Sequence, residues 1–279
     1  MSAAMLRPSG ITVGVDLGGC VARWRAGSKR QHTLDVYREY GHIPDDVPDD
    51  AILASIAEAR RTFEGAKEAH RDRDAFWRAI NMTALDHLTN PHRRKYTSVY
   101  AREIHEAFLD PKRFESCTQV LDAVRKLRSL GITVVIASNS VQAEAETLID
   151  ALNVRDEFDA ICTSEQFGER KTSQVFWEGV ARVAHPTLSH AMRKRMHYIQ
   201  LGNSLFSDGH ATYFGWDVWI LDQERRYGPH TPNIRLDNQF NDIQATWMRA
   251  QIQGGRIRFI SRDTHYRRFV DSVASLLAH

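Results

Sequence analysis

The stretch Ile132-Thr-Val-Val-Ile-Ala137 decides the fold class, because an unbroken apolar and β-branched run of this length predicts a strand buried on both faces. Amphipathic helical patterns lie directly before and after it. Further strand-like runs, separated by helical patterns, occupy residues 11–15, 158–162, 197–201 and 217–221. Alternating strands and helices predict an α/β protein with a Rossmann-like parallel sheet and helices on both of its faces.

A block without strand-like runs separates the first predicted strand from the others. Residues 26–112 are charged, helical in pattern and punctuated by prolines. The sequence therefore predicts an all-helical domain inserted into an α/β core made of residues 10–25 and 113–222. Residues 223–279 form a C-terminal extension of unknown role, with a closing helix predicted over 263–277.

Composition narrows the class of protein further. The chain has 279 residues, of which 42% are hydrophobic, and its 37 Lys and Arg against 35 Asp and Glu leave a net charge of +2. This balance does not favour a nucleic-acid partner, and no apolar run is long enough to cross a membrane. The start of the chain lacks a signal-peptide pattern, and the three scattered cysteines predict buried apolar residues, so we expect a cytoplasmic protein. The oligomeric state stays open.

Four polar segments follow predicted strands, where α/β proteins place their sites. A carboxylate such as Asp16 can act as a nucleophile or a metal ligand, and a lysine can neutralise an anion. Taken singly, each residue also fits a helix cap or a solvated surface charge; together they predict one site. The candidates are Asp16, Ser138-Asn139, Lys171, and Gly202-Asn203 with Asp208.

These segments resemble, in order and spacing, the four motifs of the haloacid dehalogenase-like hydrolase superfamily. The matching stretches are Val13-Gly-Val-Asp16-Leu-Gly-Gly, Val134-Val-Ile-Ala-Ser138-Asn139, Phe158 to Lys171, and Leu201-Gly-Asn203-Ser-Leu to Asp208. In that superfamily an inserted helical domain is a cap that closes over the site and excludes water, which would make residues 26–112 the cap.

The resemblance implies a phosphatase that acts on a small phosphorylated metabolite. Asp16 would be the nucleophile and would carry an aspartyl-phosphate, which water then hydrolyses. Lys171 would be the second catalytic residue, and Ser138, Asn139 and Lys171 would bind the phosphoryl group. Mg²⁺ would be held by Asp16, the backbone carbonyl of Gly18, Asn203 and Asp208.

Two positions depart from the family pattern and leave the activity open. Gly18 stands where family phosphatases carry a second aspartate, the general acid and base, and Asn203 replaces a metal-binding aspartate. The substrate could have a good leaving group, such as an acyl phosphate. The chain could instead hydrolyse a carbon–halogen bond without a metal, or a carbon–phosphorus bond with a cap lysine such as Lys67. It could also be a catalytically weakened homologue with a ligand-binding or structural role.

An alternative family shares only the first motif. Gly14-Val-Asp16-Leu-Gly-Gly also resembles the first phosphate-binding motif of sugar kinases with the actin-like fold, in which the Asp holds Mg²⁺. Those kinases need a second acidic strand motif and a glycine-rich adenosine loop. The segment Gln253-Gly-Gly255 lacks that context, and the other three motifs have no place in the kinase fold.

Overall fold

The computed structural model describes residues 10–63, 73–89, 95–221, 242–260 and 264–278. The chain divides into two compact units, one formed by Met1–Arg23 with Ser116–His279 and the other by Trp24–Glu115. The division lies two or three residues from the limits expected for an inserted helical domain. The described residues after 222, expected as a C-terminal extension of unknown role, fall in the first unit.

The first unit contains a six-stranded sheet in which every neighbouring pair is parallel. Among the described residues the strands are β1 Ile11–Val15, β2 Ala22–Trp24, β3 Phe114–Ser116, β4 Thr133–Ser138, β5 Ala160–Thr163, β6 His197–Gly202, β7 Asp217–Leu221 and β8 Ile257–Ile260. The order β5-β4-β1-β6-β7-β8 places β1 between β4 and β6. The predicted parallel α/β sheet is confirmed. Strands β2 and β3 form a separate two-stranded sheet.

Helices follow most of the strands, as the alternating pattern predicts. They are α1 Lys29–Tyr40, α2 Asp49–Phe63, α3 Arg73–Leu88, α4 Thr97–Leu109, α5 Thr118–Ser129, α6 Gln142–Ala151, α7 Ser164–Phe167, α8 Gln174–Ala184, α9 His190–Arg193, α10 Asp242–Gln253 and α11 Thr264–Ser275. Helices α1 to α4 form the second unit. The other helices belong to the first unit, where α5 and α8 pack against strands of the sheet.

A cluster of aromatic side chains lies within the largely aliphatic core of the first unit. Trp177 of α8 lies with its ring centroid 4.6 Å from that of Trp216, just before β7, and Phe176 packs edge-on against Trp177. Trp216 and Trp219 are both buried, which confirms their predicted packing role. The three cysteines are buried and unpaired, as expected.

Several elements differ from the sequence-based expectation, among them the short strands β2 and β3, which were not predicted. The helix predicted around Ala211 and Phe214 is a 3₁₀ helix over residues 209–214. Helix α1 was not predicted; it begins after Ser28, whose hydroxyl accepts a hydrogen bond from the backbone N–H of Gln31. Strand β8 was also missed, because Arg256 and Arg258 interrupt its short apolar pattern, yet it adds a sixth strand beside β7.

A buried histidine lies in an aromatic cluster of the second unit. The ring of His32, 2% exposed, has its centroid 5.3 to 6.3 Å from those of Trp24, Phe108 and Phe114. Its Nε2 atom has no hydrogen-bond partner among the described residues. Burial, assisted by the nearby positive charge of Arg113, lowers the pKa of His32 to about 4. The imidazole is therefore neutral in the folded protein at neutral pH.

We expect this neutral histidine to make stability depend on pH. In the unfolded chain His32 gains a proton below its ordinary pKa of 6.5, whereas in the folded chain it stays neutral down to about 4. The stabilisation is present above the unfolded value and is lost as the pH falls. Between about pH 7.5 and about pH 5, the thermal midpoint of wild type should fall further than that of His32→Phe.

The matched control is His190→Gln, which alters an exposed histidine of α9. Its thermal midpoint should fall as far as that of wild type over the same pH interval. An equal fall in wild type and His32→Phe would contradict the assignment to His32.

Candidate active site

The parallel sheet brings the predicted site residues to one edge. Asp16 follows β1, Ser138 is the last residue of β4, and Asn203 follows β6. Because β1 pairs in parallel with both β4 and β6, their carboxyl ends lie side by side. Ser138 is buried at its strand end, and the next residue, Asn139, reaches the loop that carries Lys171.

A buried ammonium group joins two carboxylates at the centre of this edge. Lys171 is 1% exposed, and its Nζ donates hydrogen bonds to Oδ1 of Asp16 at 2.6 Å and to Oδ1 of Asp208 at 2.7 Å. Lys171 thus contacts Asp16 directly, and Asp208 is joined to Asp16 through the same ammonium group. In place of the solvated surface charge that a lone lysine suggests, the lysine forms a buried ion-pair triad with the two aspartates.

The backbone around Lys171 is anchored on both sides. The backbone N–H of Lys171 donates to Oδ1 of Asn139 at 2.9 Å, and its carbonyl accepts from Nε1 of Trp177 at 2.6 Å. Asn139 thus orients the lysine loop in this structure. Its predicted part in binding a substrate phosphate stays a prediction.

Asp208 is fully buried and has hydrogen-bond donors on both carboxylate oxygens. Oδ1 accepts from Lys171 and from Nε2 of Gln200 at 2.9 Å, while Oδ2 accepts from the backbone N–H groups of Asn203 at 3.1 Å and Ser204 at 3.0 Å. A Cβ on Gly202 would lie 2.0 Å from Cγ of Asp208, so only glycine allows the carboxylate to pack against β6.

Burial and neighbouring charges set the ionisation of the triad. Burial raises the pKa of the Asp16 carboxyl from 3.8 to about 6, with Lys171 opposing the change and Asp208 adding to it. Burial by itself would lower the pKa of Lys171. The carboxylates of Asp16 and Asp208 have the larger effect and raise this pKa above the ordinary range. At neutral pH the lysine is a cation and Asp16 is mainly a carboxylate.

The groups predicted to hold Mg²⁺ are engaged in hydrogen bonds. Nδ2 of Asn203 donates to the carbonyl oxygen of Gly18 at 2.9 Å, and both oxygens of Asp208 accept from other donors. Among the residues that the structure describes, no group of three or more His, Cys, Asp or Glu side chains is arranged to hold a metal ion. Mg²⁺ in proteins is usually held by one or two carboxylates together with water. Here Asp16 and Asp208 share the Lys171 ammonium and Asn203 turns its amide nitrogen toward the Gly18 carbonyl, so this arrangement does not fit Mg²⁺.

One residue of the site was missed by the sequence reasoning. Gln200 was treated only as part of a predicted strand, yet its amide contacts Asp208. The available signal was a single polar residue inside the apolar run before Gly202. The possible cap residue Lys67 lies outside the described residues.

Comparison with known proteins assigns the family. The model of the haloacid dehalogenase-like hydrolases matches residues 22–195. The chain therefore belongs to this family of hydrolases, as its motifs suggest, and the kinase alternative is dropped. The matched region includes Ser138, Asn139 and Lys171, whereas Asp16 and the segment from Asn203 to Asp208 lie outside it. No curated protein matches the sequence.

Solved structures of the same family share the fold at low sequence identity. The putative hydrolase YfnB from Bacillus subtilis, described as bound to magnesium, is 16% identical, with a TM-score of 0.56 over 76% of this chain and 89% of that chain. The L-2-haloacid dehalogenase from Xanthobacter autotrophicus is 14% identical, with a TM-score of 0.52 over 79% and 83%. The L-2-haloacid dehalogenase RSc1362 is 13% identical, with a TM-score of 0.57 over 94% and 97%.

None of the described helices has both the length and the apolar character needed to cross a membrane.

The triad predicts a large loss of stability when its cation is removed. Lys171→Met would leave Asp16 and Asp208 buried without their shared partner, so the free energy of unfolding should fall by ~3–5 kcal/mol. Asp16→Asn should cost less, because Lys171 still pairs with Asp208. Both values can be measured by urea unfolding at neutral pH.

Lys126→Met is the matched control, since Lys126 is exposed on α5 and its loss should change stability by no more than ~0.5 kcal/mol. If Lys171→Met were no more destabilising than this control, the buried ion-pair triad would be wrong.

Proposed function

We propose that the protein hydrolyses the carbon–halogen bond of a small halogenated organic acid, through a covalent ester on Asp16. Asp16 would attack the carbon that carries the halogen. The carbon–halogen bond breaks, and the halide leaves with the bonding electron pair. Water then cleaves the ester, returns the Asp16 carboxylate and releases a hydroxy acid and a proton.

The absence of a side chain at Gly18 is the observation that carries this proposal. An alkoxide leaving group needs a proton from a general acid, and family phosphatases carry that acid two residues after the nucleophile. A halide is the anion of a strong acid and leaves without a proton. Gly18 is therefore compatible with halide displacement, whereas it slows the hydrolysis of an ordinary phosphate ester.

The charge of the triad also favours a halogenated acid over a phosphate ester as the substrate. Asp16 and Asp208 face the single positive charge of Lys171, so the triad carries a net negative charge when both carboxylates are ionised. A phosphate dianion brought to this edge would be repelled unless a divalent cation joined it. A haloacid adds one negative charge, and its reacting carbon carries none.

The other site residues receive roles consistent with this chemistry. Lys171 would hold the Asp16 carboxylate in one orientation for attack. Ser138, at the end of β4, would donate a hydrogen bond to the substrate carboxylate. The named activities of RSc1362 and the Xanthobacter autotrophicus enzyme agree with the proposal, although their likeness to this chain concerns the fold.

We expect purified protein to release chloride from 2-chloropropionate and to do so equally well with EDTA. Asp16→Asn should abolish release, because an amide cannot act as the nucleophile. The rate should rise with pH as Asp16 ionises, with a midpoint near its pKa of about 6. In H₂¹⁸O with enzyme in excess over substrate, the label should enter Asp16, since the first product oxygen comes from its carboxylate.

Asp122→Asn, an exposed change on α5, is the control and should leave the rate unaltered. Mg²⁺-dependent hydrolysis of acetyl phosphate or p-nitrophenyl phosphate without chloride release would overturn the proposal in favour of the phosphatase. If the protein turned over neither 2-chloropropionate nor the two phosphate compounds, while inorganic phosphate still raised its thermal midpoint, a ligand-binding role would be favoured.

A proton donor placed at position 18 should change which leaving groups can depart. A Cβ on Gly18 would meet no atom within 4 Å, so a side chain fits there. Gly18→Asp should raise the rate of phenyl phosphate hydrolysis by ~10-fold or more over wild type. Chloride release should stay nearly constant, because a halide needs no proton.

Gly18→Asn has the same size without a carboxyl group and should give no gain. If phenyl phosphate hydrolysis were the same in Gly18→Asp, Gly18→Asn and wild type, position 18 would not face the leaving group and the argument from Gly18 would fail.

A further inference from the structure

We propose that Gln200 is a positioning residue, whose amide holds Asp208 and thereby Lys171 against Asp16, and that Gly14 leaves the space this amide needs. The inference rests on the proposed function for its effect on turnover. The contacts themselves are independent of any substrate.

The amide of Gln200 donates to the same oxygen atom as the ammonium group of Lys171. Gln200 lies in β6 and is fully buried. Its Nε2 donates to Oδ1 of Asp208 at 2.9 Å and to the carbonyl of Leu201 at 3.2 Å. Oδ1 of Asp208 also accepts from Lys171 at 2.7 Å. Two donors on one oxygen fix both the rotation of the carboxylate and the direction from which the lysine approaches.

The orientation of the Gln200 amide follows from the carboxylate beside it. Rotation by half a turn would place Oε1 against an oxygen of Asp208, and two acceptors in contact repel each other. In the orientation present, Oε1 is buried and has no hydrogen-bond partner among the described residues. A buried amide oxygen without a partner is destabilising. Packing alone would therefore favour Leu or Met here, so the useful atom of Gln200 is Nε2.

Gly14 keeps this arrangement possible. In the register of β1 and β6, Gly14 is paired with Gln200. A Cβ on Gly14 would lie 2.5 Å from Oε1 of Gln200, closer than two such atoms can approach. The next nearest atoms, on Trp216 and Ala137, would be 3.3 and 3.5 Å away. Alanine at this position would thus mainly displace the end of the Gln200 side chain, which is flexible, rather than the strands.

These contacts predict that two separate substitutions break the same hydrogen bond, the one from Gln200 to Asp208. Gln200→Leu removes the donor and Gly14→Ala pushes it away, so each should lower kcat for chloride release from 2-chloropropionate by about 10-fold or more, with KM changed by less than about 2-fold. In the double variant Gly14→Ala/Gln200→Leu, the shorter side chain leaves room for the new methyl group. Its kcat should be no lower than that of Gln200→Leu, whereas independent effects would multiply.

Val218→Ala is the control for a general loosening of the sheet. Val218 is fully buried in β7, and its truncation should lower the thermal midpoint while leaving kcat near that of wild type. A fall in kcat for Val218→Ala equal to that for Gln200→Leu would overturn the inference. Multiplied losses in the double variant would overturn it too.

A second measurement separates this inference from the proposed function. If wild type releases no chloride, the proposed function fails, and the link is tested by thermal unfolding of Gln200→Leu, Asp208→Asn and their double variant. Because the two side chains share a hydrogen bond, the shift of the thermal midpoint in the double variant should be smaller than the sum of the single shifts. Additive shifts would show that Gln200 does not hold Asp208.

Discussion

The ammonium group of Lys171, buried between the carboxylates of Asp16 and Asp208, is the interaction on which the rest of the site depends. Charges removed from water are stable only when they are paired and hydrogen-bonded on all sides. This requirement accounts for the surroundings of the triad. Asn139 and Trp177 hold the lysine backbone, and two backbone N–H groups with Gln200 complete the environment of Asp208.

The sheet supplies the position of this triad, and the departures from the family pattern alter its chemistry. Parallel strands present their carboxyl ends at one edge, so loops far apart in the chain meet there. Gly18 and Asn203 leave that geometry intact, because neither lies within a strand. By the family resemblance they stand where a proton donor and a negative charge are expected, and Asn203 forms a hydrogen bond with the Gly18 carbonyl. Under the proposed function, this arrangement suits a leaving group that departs without a proton.

Elements with a strong periodic pattern were predictable, and those defined by their neighbours were not. Helix α8 was predictable from the sequence, since its apolar residues recur at helical spacing between Gln174 and Ala184. Strand β8 has only four residues with an arginine among them, and it is a strand because β7 offers an unpaired edge. The segment 209–214 forms a 3₁₀ helix that ends at Gly215, and its only strong helix former is Ala211. In the site, the motif residues were predictable, whereas Gln200 was not.

The sequence by itself determined the alternation of strands and helices, the inserted helical block and the motif residues, because these depend on local apolar patterns and on residue identity. Only the tertiary structure decided that Lys171 is buried as a paired cation, that Asn203 binds the Gly18 carbonyl and that Gln200 reaches Asp208 past Gly14. These facts depend on distances between side chains from different strands. Such distances follow from the pairing of β1 with β4 and β6, which no local pattern encodes.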